Sequence, residues 1–187
     1  MLVLASQSPR RAELLRNARI AFKIDAADID EQQREGESPT EMVVRLAREK
    51  ARVVAGRRPN DLVLGADTTV AIKNEVLAKP RDRDDAAAML RRLSGRTHSV
   101  TTGVCLIGHG RDIARLESTL VHMVEISEAE IREYVATGEP MDKAGAYAIQ
   151  GMASRWVNRI EGCYFNVVGL PVPLVYSMLR EAGFTKD

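Results

Sequence analysis

Six residues near the N-terminus, Ser6-Gln7-Ser8-Pro9-Arg10-Arg11, bring polar donors and cations to one strand-to-helix turn. The run Met1 to Ala5 reads as a short buried strand, Ser8 as an N-cap and Pro9 as the first helical residue, followed by Ala12, Leu14 and Leu15. Free N–H groups and the positive dipole end of a helix attract anions, and Arg10 and Arg11 add cations where the dipole disfavours them. A bound phosphate would resolve that conflict, and so would two arginines extended into solvent. Ser6, Ser8, Arg10 and Arg11 are therefore the first candidates for an anion site.

Lys50 lies seven residues after Val43 and four after Leu46. Helical spacing puts it on or beside the inward stripe, where an ammonium requires a counter-anion unless it snorkels along the core edge. Asp67 ends the apolar run Leu62 to Ala66, at the rim where α/β sheets bind ligands, with Thr68 behind it. An acid capping a bend is the plainer reading of Asp67. Lys79, in Lys79-Pro80-Arg81-Asp82, brings a cation to the end of a following hairpin. Glu31, in Asp28-Ile29-Asp30-Glu31, is a second carboxylate for a divalent metal or part of a solvated acidic loop. Asp142 to Gly151 combines small residues that permit close approach with polar groups of different chemistry, and the Gln150 amide both donates and accepts, as reading a base edge or bonding a loop backbone would require. Tyr147, Trp156 and Tyr164 read as core, and Cys105 and Cys163 as buried thiols.

The elements that must position these residues alternate in type, which argues an α/β or α+β fold. Strands are expected over Ile20 to Ile24, Leu62 to Ala66, Thr68 to Ile72 and Val76 to Ala78, with a longer hairpin of Val100 to Ile107 and Leu116 to Ile126. Ser38-Pro39 with Glu41, and Ser127 with Glu130, have capping-box spacing, the helices stopping at Gly56 and Gly138. Asp82 to Leu93 reads as a helix closed by Gly95, and a last helix runs from about Pro173 to Ala182. Nothing in the sequence demands a domain boundary.

The chain has 187 residues with 27 basic and 26 acidic side chains, a net charge of +1. That balance argues against a nucleic-acid binder. No apolar run approaches a membrane span and no signal peptide is read, so a cytoplasmic, reduced location is expected. Walker A, dinucleotide-binding and HExxH motifs are absent, and His98, His109 and His122 have no ligand spacing.

In order along the chain, Leu4-Ala5-Ser6-Gln7-Ser8-Pro9-Arg10-Arg11, Gly65-Ala66-Asp67-Thr68, Ala78-Lys79-Pro80-Arg81-Asp82, Leu93-Ser94-Gly95-Arg96-Thr97-His98, Lys143 to Gly151 and Val167-Val168-Gly169-Leu170-Pro171 resemble the Maf family of nucleoside triphosphate pyrophosphatases. The resemblance implies a single domain over 1–187, a mixed β-sheet flanked by helices in two lobes around a central cleft, similar to inosine triphosphate pyrophosphatases. It further implies dependence on a divalent cation (Mg or Mn), frequent homodimers, and hydrolysis of a nucleoside triphosphate to monophosphate and pyrophosphate. By the same resemblance Asp67 is catalytic and, with Glu31, a metal ligand. Ser6, Ser8, Arg11, Lys50 and Lys79 bind phosphate, and Arg10, Thr68 and Gln150 look like the branch acting on dTTP and UTP. The branch acting on 7-methylguanosine triphosphate has an acid where Gln150 stands. Cys163 replaces a more usual serine, and Trp156 falls where another aromatic is common. The family's association with septum formation implies the competing class, a non-catalytic regulator.

Overall fold

The computed structural model describes residues 1–184, so the last three residues of the domain expected over 1–187 lie outside the described residues. The elements in chain order are β1 (Leu2–Leu4), α1 (Pro9–Asn17), β2 (Lys23–Ile24), α2 (Pro39–Arg57), β3 (Leu62–Ile72), β4 (Glu75–Leu77), α3 (Arg83–Leu93), β5 (Thr97–Gly108), β6 (Arg111–Met123), α4 (Glu128–Ala136), β7 (Val157–Glu161), α5 (Tyr164–Val168) and α6 (Val172–Glu181). Three short 3₁₀ turns lie between α4 and β7. The seven strands form one mixed sheet in the order β2-β1-β3-β5-β6-β7, with β4 paired to β3. β1 is parallel to both β2 and β3, whereas β4 on β3 and β7 on β6 are antiparallel.

The described residues divide into two compact units, residues 1–68, 102–117 and 169–184 in one and residues 69–101 and 118–168 in the other. In the first, Val3, Ala5, Val63 and Cys105 pack with Ala47, Ala51 and Val54 of α2. Helix and strand approach closely there: a Cβ on Gly65 would stand 2.1 Å from the Ala47 carbonyl oxygen, so only glycine fits in β3 at that point. α2 starts on the expected capping box, with Ser38 Oγ accepting from the Glu41 N–H and Glu41 accepting from the Ser38 N–H. It runs through Gly56 to Arg57, since a glycine exposed near a helix end need not stop it.

The second unit buries Val70, Leu77, Leu90, Leu93, Val121, Ile131, Tyr134, Tyr147 and Trp156 in one cluster. α4 carries the second capping box, from Ser127 and Glu130. The expected break at Asp67 is absent: β3 is continuous because that carboxylate is satisfied by a side chain and not by bending the chain. The strand expected over Ile20 to Ile24 shrinks to two residues, and β7 was not anticipated because its residues are mostly exposed and polar. Two burial readings are corrected as well. Tyr164 is exposed, stacked edge-on against Phe165, and Cys163 is only half-buried beside it.

His98 sits in this second core with its Nε2 2.8 Å from the Tyr147 hydroxyl and its Nδ1 without a partner. Burial, with a smaller contribution from His122, holds its pKa down at about 4 against an ordinary 6.5. The unfolded chain takes up this proton near pH 6.5 and the folded chain only near pH 4, so stability is lost as pH falls across that window. Chemical denaturation at pH 7 and pH 4 should show wild type losing about 3 kcal/mol more than His98→Gln, which keeps a hydrogen-bonding group but does not titrate. Equal losses would mean that His98 titrates normally.

Candidate active site

The first unit gathers most of the residues whose chemistry stood out. Lys50 projects from the inward face of α2, and its Nζ donates to Asp67 Oδ1 at 2.7 Å while pairing with Glu31 Oε1 at 2.5 Å. Lys50 and Asp67 are each only 7% exposed, whereas the Glu31 side chain is 53% exposed. Lys50 thus has the counter-anion its position demands. Burial pushes the Asp67 carboxyl above the usual carboxylate range, against the pull of Lys50 and Arg11. A carboxylate raised in this way is a better proton acceptor near neutral pH than an ordinary aspartate.

Arg11 occupies the neighbouring position and is buried, which corrects the alternative of an arginine extended into solvent. Its Nε donates to Gly169 O at 2.8 Å, its Nη1 to Ser6 Oγ at 3.1 Å and Ala66 O at 2.9 Å, and its Nη2 to Thr68 Oγ1 at 3.0 Å. Four of the five guanidinium N–H donors are therefore spent inside the protein. Desolvation lowers its pKa, opposed by the charges of Asp67 and Glu31. Arg11 is a strut joining the Ser6 loop, the strand segment that carries Asp67 and the Gly169 turn. Three of the sequence motifs meet on this one side chain.

Thr68 is bound into the same network. Its Oγ1 accepts from Arg11, donates to Gly169 O at 3.2 Å and shares a hydrogen bond with Thr102 Oγ1 at 2.9 Å, which fills the capacity of a hydroxyl. Ser8 stands at the N-cap position of α1, but its side chain makes no cap bond, and its N–H donates to Ser6 Oγ at 3.2 Å. The contrast with α2 and α4 is informative. Both of those helices carry complete capping boxes, while the first turn of α1 has no side-chain cap. Arg10 is half-buried in that turn.

Two remaining candidates lie in the second unit. Lys79 is exposed just after β4, and Gln150 is exposed in a turn closed by the Gly151 N–H on Ala148 O at 3.1 Å. The two segments are joined by the Gly145 N–H, which donates to Ala78 O at 3.2 Å. A shallow depression lined by Arg58, Asp61, His109 and Arg111 contains none of these residues.

Sequence reasoning missed the Ala66 and Gly169 carbonyls and Thr102 as parts of the site. Gly169 stands inside a motif already noted, but a backbone acceptor carries no side-chain signal. Asp67 and Glu31, both on Lys50 Nζ, are the two carboxylates of the site that could take a small divalent cation. Their carboxylates converge on one cationic point, and magnesium commonly takes one or two protein carboxylates and completes its shell with water and phosphate. Among the described residues no group of three or more His, Cys, Asp or Glu could hold a metal by itself.

The architecture is that of the Staphylococcus aureus Ham1 protein, whose structure matches over 97% of this chain and 98% of that one with a TM-score of 0.54 at 11% identity. The Maf-like protein model matches residues 1–182, and the chain belongs to that family. A dTTP/UTP pyrophosphatase of Koribacter versatilis is 59% identical, covering 97% of this chain and 94% of the relative. Others with the same name, from Myxococcus xanthus and Symbiobacterium thermophilum, are 52% and 50% identical, each over 98% of this chain and over 93% and 94% of the relatives. No helix among the described residues is long and apolar enough to cross a membrane.

Proposed function

We propose that this protein hydrolyses dTTP and UTP at the α–β phosphoanhydride, releasing the nucleoside monophosphate and pyrophosphate. The observation that carries the chemistry is the buried Asp67 carboxylate held on Lys50, with Glu31 on the same ammonium. The choice of base rests on the relatives, which share half or more of their residues with this chain and bear that name.

Asp67 accepts a proton from the attacking water. One water O–H bond breaks toward the carboxylate, the oxygen forms a bond to phosphorus, and the bridging P–O bond breaks to give monophosphate and pyrophosphate. Lys50 holds the Asp67 carboxylate in place and sets a positive charge beside the reacting phosphate. Asp67 and Glu31 are the residues that would hold magnesium or manganese, and the bound ion would neutralise charge on phosphate oxygens. Ser6, Ser8, the uncapped first turn of α1 and Arg10 receive phosphate oxygens. Arg11 and Thr68 fix that loop against the Asp67 strand; by the family pattern Arg11 also binds phosphate, and Arg10 and Thr68 share in the choice of base. Lys79 as a phosphate ligand and Gln150 as reader of the base enter by the family pattern. The same reading takes the chain as one functional domain in the cytoplasm, with no nucleic-acid or membrane partner and with the homodimer frequent in its family open to it. A purely regulatory protein would have no use for a buried Asp67 and Lys50, each costly to keep out of water.

Pyrophosphate release across dTTP, UTP, CTP, GTP, ATP and 7-methylguanosine triphosphate tests the reading. The parent should favour dTTP and UTP, and Gln150→Glu should lose that preference by about tenfold or more, since a carboxylate cannot donate to a base acceptor. An unchanged preference in Gln150→Glu would remove Gln150 from base recognition.

A further inference from the structure

The turn that presents Gln150 is fastened on both sides by groups outside the phosphate site. On one side Tyr147, 5% exposed, is held through its hydroxyl by His98 at 2.8 Å. On the other the Met152 N–H donates to Glu139 Oε2 at 3.4 Å, and Gly151 lies so close to this carboxylate that a Cβ there would stand 1.9 Å from Oε1.

Glu139 is itself anchored. Its Oε1 accepts from the Tyr134 hydroxyl at 2.9 Å, its carbonyl accepts from Lys143 Nζ at 2.6 Å, and its N–H donates to Thr137 Oγ1 at 3.1 Å. Tyr134 is fully buried, its ring edge-on to Trp156 at 5.2 Å. A core aromatic thus fixes the carboxylate, and the carboxylate fixes the backbone next to an exposed Gln150.

We propose that Glu139 is a positioning residue for base recognition, its carboxylate setting the 148–152 turn so that the Gln150 amide meets the base edge. The inference rests on the base-reading role of Gln150 given under Proposed function. Amide recognition of a base is sensitive to displacements of about 1 Å, whereas the Lys50–Asp67 cluster belongs to the other unit. Loss of the clasp therefore shows in KM and in base preference before it shows in kcat.

The experiment is steady-state kinetics on dTTP, UTP, CTP and 7-methylguanosine triphosphate for the parent, Glu139→Ala, Glu139→Gln and Gly151→Ala, with Gln150→Glu alongside. Glu139→Ala and Gly151→Ala should raise KM for dTTP and UTP about tenfold, keep kcat within about twofold and narrow the preference over the other bases. Glu139→Gln should restore parental values, because its carbonyl can accept from Met152 and its amide can donate to Tyr134. A folded Glu139→Ala with parental KM and preference overturns the proposal, and so does a loss confined to kcat. Should Glu139→Ala fail to fold, Gly151→Ala decides on the same criteria, since it displaces the carboxylate without deleting it. If Gln150→Glu leaves the preference unchanged, the base-reading role fails and this inference with it. If Gln150→Glu shifts the preference while Glu139→Ala and Gly151→Ala do not, the inference alone fails.

Discussion

Asp67→Asn should fold normally and lose turnover on dTTP by about a thousandfold, equivalent to about 4 kcal/mol of transition-state stabilisation. The asparagine retains an oxygen that can accept from Lys50 Nζ, and Glu31 remains to balance the ammonium. A neutral amide in a buried position also escapes the desolvation that raises the aspartate's pKa. What disappears is the proton acceptor and one of two carboxylates suited to a divalent cation. Circular dichroism and thermal melting should superimpose on wild type while pyrophosphate release falls. A folded variant turning over dTTP within about tenfold of wild type would remove Asp67 from the reaction, because a general base contributes more than that.

Arg11→Lys should cost about 3 kcal/mol of stability, or roughly 9 °C in melting temperature for a chain of this size, although charge is conserved. An ammonium is a point donor and cannot span the four acceptors that the guanidinium meets at Gly169, Ser6, Ala66 and Thr68. Buried carbonyls at Ala66 and Gly169 then lose a partner, which is where the cost arises. Ala66 is the residue before Asp67, so the strand carrying the carboxylate loosens and turnover falls about a hundredfold. Differential scanning calorimetry with dTTP kinetics reads both effects. A melting temperature equal to wild type would show that Arg11 is not the strut described.

The two predictions differ in how far they could have been read without coordinates. Asp67 at the end of an apolar run and Lys50 at helical spacing from Val43 and Leu46 are local patterns, and the structure joins the two side chains, with Asp67 in the middle of β3 and not at the expected strand end. The capping boxes of α2 and α4 were equally legible, since three residues of spacing contain the whole interaction. Arg11 was not. Two arginines in a first helical turn look like anion ligands, and only the fold brings Gly169 O, 158 residues away, onto the guanidinium. Glu139 escaped notice for the same reason, because its partners Tyr134 and Met152 have no shared local pattern. β7 and the exposed Tyr164 show the opposite failure, in which polar edge residues and an aromatic type gave the wrong weight to burial.

The reaction proposed for this protein is cleavage between the α and β phosphates of a pyrimidine triphosphate. Phosphorus NMR of purified protein with dTTP and magnesium tests it most directly, since it follows the products themselves. dTMP and pyrophosphate should appear together in equal amounts, with neither dTDP nor orthophosphate formed. Release of dTDP with orthophosphate, or dTTP left intact, would contradict it.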